Sequence, residues 1–235
     1  MRRMVYEIKI YESQKDFLNK SGIYMDYNMN DLTNMKLLII GPEGTPYENG
    51  FYFFNITLPL NYPFIPPRFK FINNIDNIRF HPNFYVDGYV CLSVLNTWGK
   101  NDWSPCQNLA SIASTIQSVM NDNPITNEPE FENETGTISQ NYYKIIEYYN
   151  LKGSVIKILK SPISNFTKIV EDYFLANYDK YLKLIKKNIT ELDNEKVSCQ
   201  IYELFVKLEY KNLEKDFIAT QQSLLQLSVN SINTI

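Results

Sequence analysis

An α+β fold is predicted by three observations on this chain of 235 residues. Short segments rich in β-branched and aromatic residues lie between residues 23 and 72, punctuated by Gly-Pro and Asn-Gly. That is the pattern of a four-stranded antiparallel meander. Helical spacing flanks this run on both sides. Between the meander and the next helix, over residues 73–107, periodicity fails. A long irregular segment in a compact domain is usually functional.

The elements follow in order. Residues 1–20 are expected to form an amphipathic helix, with Met4, Val5, Ile8, Tyr11 and Leu18 close to one stripe and Gly22 ending it. Strands are expected over 23–27, 35–40, 51–58 and 68–72. Pro63, Pro66 and Pro67 cannot sit inside a sheet, so they belong to the turn before the fourth strand. Leu109, Ile112, Ala113, Ile116, Val119 and Met120 fall at helical spacing behind Asn108, an N-cap residue. Asp122-Asn123-Pro124 stops that helix. Residues 137–159 read as helical with a weak point at Gly153, and Ser161-Pro162 marks a boundary.

Beyond it, Phe166, Ile169, Val170, Tyr173, Phe174, Tyr181, Leu182 and Ile185 share one helical face. Val197, Ile201, Leu204, Phe205 and Leu208 fit a second helix, so the pair reads as an αα-hairpin packed on the core domain or on a partner. The expected division is a core over 1–155 and a C-terminal helical extension over 156–235. Residues after about 220 are expected to fray.

A hydrophobic fraction of 44% can fill a real core, and the net charge of −3 offers no electrostatic footprint for nucleic acid. Three cysteines, at 91, 106 and 199, make an odd count without CxxC spacing. That argues against a disulfide framework and for a reducing compartment. The start lacks the apolar core of a signal peptide, and no apolar run approaches the ~20 residues that span a bilayer. A soluble protein of the cytoplasm or nucleus, without membrane attachment, is expected. One histidine and three scattered cysteines give no zinc-ligand spacing, and no phosphate-cradling Gly-rich loop is present. No bound metal or cofactor is expected.

The irregular segment holds the chemistry. Residues 80–95 read FHPNFYVDGYVCLSVL. A turn-forming His81-Pro82-Asn83 is joined by a short loop to Cys91. A thiol and an amide side chain are thereby brought close, which suits acyl transfer through a thioester. Sulfur would carry the acyl group, and the amide would steady the oxyanion or brace the loop. His81 is the only histidine, hence the only imidazole a cysteine hydrolase could use as its base.

This spacing resembles the ubiquitin-conjugating enzymes, and other segments agree with it in order and spacing over roughly residues 1–150. Gly41-Pro42-Glu43-Gly44-Thr45-Pro46-Tyr47-Glu48-Asn49-Gly50 is similar to the family's GPxxTPYxGG segment. Tyr62-Pro63-Phe64-Ile65-Pro66-Pro67 is similar to its YPFxPP turn, and Trp103-Ser104-Pro105 to its WSP segment. The Cys91-Leu92-Ser93-Val94-Leu95 run, the Asn127-Glu128-Pro129-Glu130-Phe131-Glu132 segment and the long tail most resemble the Z-type branch, which has an extended carboxyl end and takes ubiquitin from the non-classical activating enzyme.

The resemblance implies the ubiquitin-conjugating fold and a set of roles. Cys91 would accept the carboxyl terminus of ubiquitin or a ubiquitin-like protein from an activating enzyme, which alone would consume ATP. The acyl group would then pass to a substrate lysine, usually with a ubiquitin ligase. Asn83 would be the second catalytic residue. His81 would tie the turn together rather than move protons. Lysine activation would then fall to an environment drawn from Tyr85, Asp87, Ser93 and Glu128, with Asp87 read as a solvated loop side chain. Ser93 departs from the commoner acid two places after the cysteine. Phe64 and Pro105, with Cys106 beside them, would form the ligase-docking surface, and Trp103 would pack beneath the active-site loop. Arg2, Arg3 and Lys9 would face the activating enzyme, although a solvated face explains them equally well. The alternative is a non-catalytic ubiquitin-binding or scaffolding variant of the same fold.

Overall fold

The computed structural model describes residues 2–73, 75–99 and 102–232, with backbone alone for Ser164 and residues 228–232. Met1, within the helix expected over 1–20, lies outside the described residues.

Helix α1 (Arg2–Lys20) leads into a sheet of β1 (Ile23–Asn28), β2 (Asp31–Ile40), β3 (Phe51–Thr57) and β4 (Arg68–Phe71). The strands pair antiparallel in sequence order, with Leu37 opposite Phe54 and Ile56 opposite Phe69. This is the expected meander. β2 begins four residues before its apolar run, and Asp31 at its start accepts from the Thr33 amide at 2.9 Å. The apolar stripe of α1 is buried at Met4, Ile8, Tyr11 and Leu18, while Val5 is half-buried.

Residues 51–54 show no in–out alternation; all are buried. Alternate side chains point to opposite faces of a strand, so a strand without alternation is covered on both sides. Tyr52 and Phe54 pack with Phe71, Phe80 and Phe84 at centroid distances of 5.3–6.4 Å, beneath the irregular segment. Phe51 and Phe53 face the other way, against Tyr173 at 5.9 Å and Phe166 at 5.6 Å. The second cover therefore comes from the C-terminal extension.

Helix α2 (Leu109–Val119) starts at Asn108, whose side chain accepts from the Ser111 amide in a capping box. Helix α3 (Thr137–Tyr149) runs into a π-helical stretch (Asn150–Lys157) and the short α4 (Ile158–Lys160). Gly153 does not break this helix. The widened turn accommodates a close approach instead, since a Cβ there would lie 2.3 Å from Ile75 Cδ1.

Helix α5 (Thr167–Leu192) buries Val170, Phe174, Tyr178, Tyr181 and Ile185. Its partner is not the helix expected over 197–208. Those residues form a hairpin of β5 (Lys196–Cys199) and β6 (Leu204–Lys207), followed by α6 (Tyr210–Ile232). Val197, Cys199, Leu204 and Val206 point inward and alternate with outward Lys196, Phe205 and Lys207. Two four-residue strands are too short for their period of two to stand out against a helical period. Phe205, placed on a buried stripe by sequence spacing, is 80% exposed.

The αα pair is α5 with α6, through Phe174 and Tyr181 against Phe217 at 5.8 and 5.4 Å. Fraying from about 220 is not seen: α6 continues to Ile232, and Leu224 is buried. Residues 233–235, part of that expectation, lie outside the described residues. The extension packs on the core domain. Tyr181 donates to the Asn49 carbonyl at 2.6 Å and Tyr173 to Asn49 Oδ1 at 2.7 Å.

Candidate active site

Cys91 is delivered by a chain of small turns. Gly88 adopts φ 91°, and a Cβ there would lie 2.5 Å from the Phe71 carbonyl oxygen, so only glycine fits. The Phe71 amide donates to the Gly88 carbonyl at 2.9 Å, tying this turn to β4. Asp87 helps form it by accepting from the Tyr89 amide at 2.9 Å. The Cys91 amide then donates to the Asn83 carbonyl at 2.8 Å, which brings thiol and amide together.

The His81-Pro82-Asn83 turn is held by the imidazole. Nδ1 accepts from the Asn83 amide at 3.0 Å, which leaves Nε2 protonated to donate to the Val119 carbonyl at 2.8 Å. His81 is fully buried, and desolvation lowers its pKa to about 3. It is a neutral brace between the turn and α2, with both ring nitrogens occupied.

Asn83 Nδ2 donates to the Cys91 carbonyl at 2.6 Å. The amide therefore braces the backbone of the cysteine. An amide nitrogen carries two protons, so this bond uses one and leaves a second. Asn83 Oδ1 is buried without a hydrogen-bond partner.

On the far side of Cys91, Thr97 closes the loop. Its hydroxyl accepts from the Leu92 amide at 2.8 Å, and its carbonyl accepts from the Cys91 thiol at 3.1 Å. Asn96, left-handed at φ 55°, ends the short 3₁₀ turn Ser93–Leu95. Its side chain accepts from the Trp103 amide at 2.8 Å. Trp103 in turn donates from its indole to the Pro63 carbonyl at 2.7 Å. Trp103 thus fastens the prolyl turn to the second loop. Phe64, 81% exposed, and the exposed Pro105 and Cys106 lie on these two linked loops.

The sulfur is only 5% exposed as a residue, yet it borders a cleft of about 320 Å³. Asn83, Tyr85, Ser93, Trp98 and Glu128 line the same cleft. Burial pushes the Cys91 thiol up; Arg79 pulls it down and Glu128 adds to the rise. The structure thus gathers Cys91, Asn83, Tyr85, Ser93 and Glu128 in one place, with His81 directly beneath. Arg3 departs from expectation. Its guanidinium turns inward to Glu7 Oε1 at 2.7 Å and to the Gln107 carbonyl, leaving Arg2 and Lys9 as the exposed cations of that set. Buried Glu7 also accepts from Tyr62 at 2.6 Å and from the Leu109 amide at 2.9 Å, and a carboxylate so placed requires its cation.

Three further residues at the site escaped the sequence. Trp98 lines the cleft, and its only signal was an aromatic near the cysteine. Arg79 places its guanidinium 3.5 Å over the Tyr85 ring and donates to the carbonyls of His81 and Pro82. Tyr202, from the extension, donates to Glu128 Oε2 at 2.5 Å. Sequence spacing gives no sign of it, since the segment fits a helical period. Among the described residues, no group of three or more His, Cys, Asp or Glu is placed to hold a metal, and no helix is long and apolar enough to cross a membrane.

Known proteins resemble this chain over much of its length. The chain is 36% identical over 208 residues to ubiquitin-conjugating enzyme E2 Z of Danio rerio, covering 86% of this chain and 63% of that protein. It is 40% identical over 165 residues to the Homo sapiens protein of the same name, covering 68% and 47%. The chain thus spans about half to two thirds of the length of these relatives. A solved ubiquitin-conjugating enzyme domain from Toxoplasma gondii aligns with a TM-score of 0.49 at 24% identity, covering 65% of this chain and 97% of that one. The profile of the family described as ubiquitin-conjugating enzyme matches residues 3–149, and the chain belongs to that family.

Proposed function

We propose that this chain accepts ubiquitin, or a ubiquitin-like protein, as a thioester on Cys91 and passes it to a substrate lysine. The observation that carries this reading is the cleft in which the Cys91 sulfur, the Asn83 amide and the Glu128 carboxylate meet without a free imidazole. In the first step the Cys91 sulfur attacks the thioester of an activating enzyme. A new C–S bond forms, the old one breaks, and the departing sulfur takes up the proton that Cys91 gives up. ATP is consumed upstream, and this chain requires no bound cofactor.

In the second step a lysine nitrogen attacks the same carbonyl. The C–N bond forms, negative charge gathers on the carbonyl oxygen, and the C–S bond breaks. The second Nδ2 proton of Asn83 is the donor for that oxygen. Glu128, together with Glu132 on the same cleft, attracts the lysine ammonium, which gives one proton to water before it attacks. The lysine's proton leaves with the thiolate, which the burial of Cys91 makes a competent base. Ligase contact is assigned to the face of Phe64, Pro105 and Cys106. Activating-enzyme contact is assigned to Arg2 and Lys9, with Arg3 shaping the helix from within.

We take residues 1–155 as the core domain and 156–235 as the extension, with the helical run over 137–160 crossing between them. Three free cysteines suit a reducing compartment, either cytoplasm or nucleus. A cysteine hydrolase is disfavoured, because the hydrogen bonds of His81 run to Asn83 and Val119 rather than to Cys91. The intact thiol on an open cleft equally disfavours a purely scaffolding role.

The test is a charging assay that crosses both classes of activating enzyme with ubiquitin and related modifiers. A reductant-sensitive adduct is expected, and Cys91→Ser should give a reductant-resistant ester if any adduct forms. Binding of ubiquitin without charging by either class would favour the scaffolding alternative.

A further inference from the structure

We propose that Tyr202, supplied by the C-terminal extension, is a positioning residue for the acceptor lysine: it holds the Glu128 carboxylate at the rim of the Cys91 cleft, ready for an incoming ammonium group. This rests on the transfer chemistry proposed above. Glu128 follows the turn Pro124–Asn127 and is half-buried. A glutamate on a loop has three free torsions, and ordering it during transfer would slow the reaction. The 2.5 Å bond from Tyr202 to Oε2 fixes it beforehand. A carboxylate offers about four lone-pair positions, so one phenol leaves room for an amine.

Tyr202 is itself firmly placed. It ends the turn Gln200–Tyr202 between β5 and β6. Val197 and Cys199 of that hairpin are buried, and Asn141 of α3 donates to the Ser198 carbonyl at 3.0 Å. The Tyr202 ring packs on Tyr142 at 5.2 Å, and Tyr142 donates to the Arg79 carbonyl at 2.8 Å. Burial and the adjoining Glu128 push the Tyr202 phenol far above its ordinary range, so it remains a donor at every working pH. Among the described residues, Arg79 neighbours this pair without an ion pair to the carboxylate. Arg79 is spent on the carbonyls of His81 and Pro82 and on the faces of Tyr85 and Tyr202. Among the described residues no cation pairs with Glu128, which leaves its carboxylate for a cation from outside. The extension, which covers the sheet with one part, reaches the rim of the Cys91 cleft with another.

The test uses the full chain charged on Cys91 and follows discharge by two nucleophiles. Free lysine is a cation and needs the carboxylate. Hydroxylamine is compact and neutral near pH 7 and does not. Tyr202→Phe removes one hydroxyl and keeps the ring. It should slow lysine discharge about tenfold, with most of the loss in KM, and leave hydroxylamine discharge within about twofold. Glu128→Gln should show the same lysine-selective loss, and the double variant should lose no more than either single one.

Full lysine discharge by Tyr202→Phe, equal losses on both nucleophiles, or additive losses in the double variant would each overturn the assignment. Wild-type protein that never acquires a thioester would instead overturn the carrier reading, and Tyr202's role with it.

Discussion

At Cys91 two demands pull against each other. A sheltered sulfur protects a thioester from water, but shelter also disfavours the thiolate that must form it. The surrounding side chains divide that burden. Asn83 braces the Cys91 carbonyl and, in the proposed transfer, donates its second amide proton to the oxyanion. Asn83→Ala should therefore slow lysine discharge by roughly 10²–10³-fold, the range for losing one oxyanion donor, as measured in single-turnover discharge from preformed thioester. His81 makes a different prediction. Unfolded, it takes up a proton below 6.5; folded, it resists protonation until about 3. Its contribution to stability is thus complete above 6.5 and lost as pH falls toward 3. Urea unfolding at pH 5 should show a loss of about 2 kcal/mol relative to pH 7.5 that His81→Gln lacks. Most of this site was legible in the sequence, because Cys91, Asn83, His81 and Ser93 lie within thirteen positions and the backbone itself brings them together. Tyr202 was not legible, since more than seventy residues separate it from Glu128. The inward turn of Arg3 is not legible, because a cation's direction depends on its partner and Glu7 gives no sign of burial in the sequence.

Among the elements, those with a strong period of their own were legible. The meander, α1, α2 with its Asn108 cap and the long α5 all announce themselves through spacing and punctuation. The β5–β6 hairpin did not. Val197, Ile201, Leu204, Phe205 and Leu208 satisfy a helical spacing, and the left-handed Glu203 that turns the chain is not a glycine. Substitution separates the two arrangements. On the hairpin, Leu204 is buried and Phe205 faces solvent. Leu204→Ala should cost about 2–5 kcal/mol in urea unfolding, and Phe205→Ser should stay within about 0.5 kcal/mol. Comparable losses at both positions would restore the helix.

Over the whole molecule, the extension completes the fold. Tyr173 and Phe166 lie over the buried Phe51 and Phe53, and each such aromatic contributes about 1.5–3 kcal/mol on burial. The sequence offered core or partner as the extension's companion, and it could not choose, since an apolar helical face does not name what it covers. Packing against the core predicts one cooperative unfolding transition for the full chain, coincident by circular dichroism and tryptophan fluorescence. Removal of residues 160–235 should lower stability by several kcal/mol or drive aggregation. Two separate transitions would mean that the extension folds by itself.

The most direct measurement is peptide-mapped mass spectrometry of the full chain after incubation with activating enzyme, ATP and ubiquitin. The ubiquitin carboxyl terminus should be found on Cys91, through a bond that reductant cleaves. Its appearance on Cys106 or Cys199 instead, or an unmodified Cys91 with every activating enzyme offered, would contradict the account.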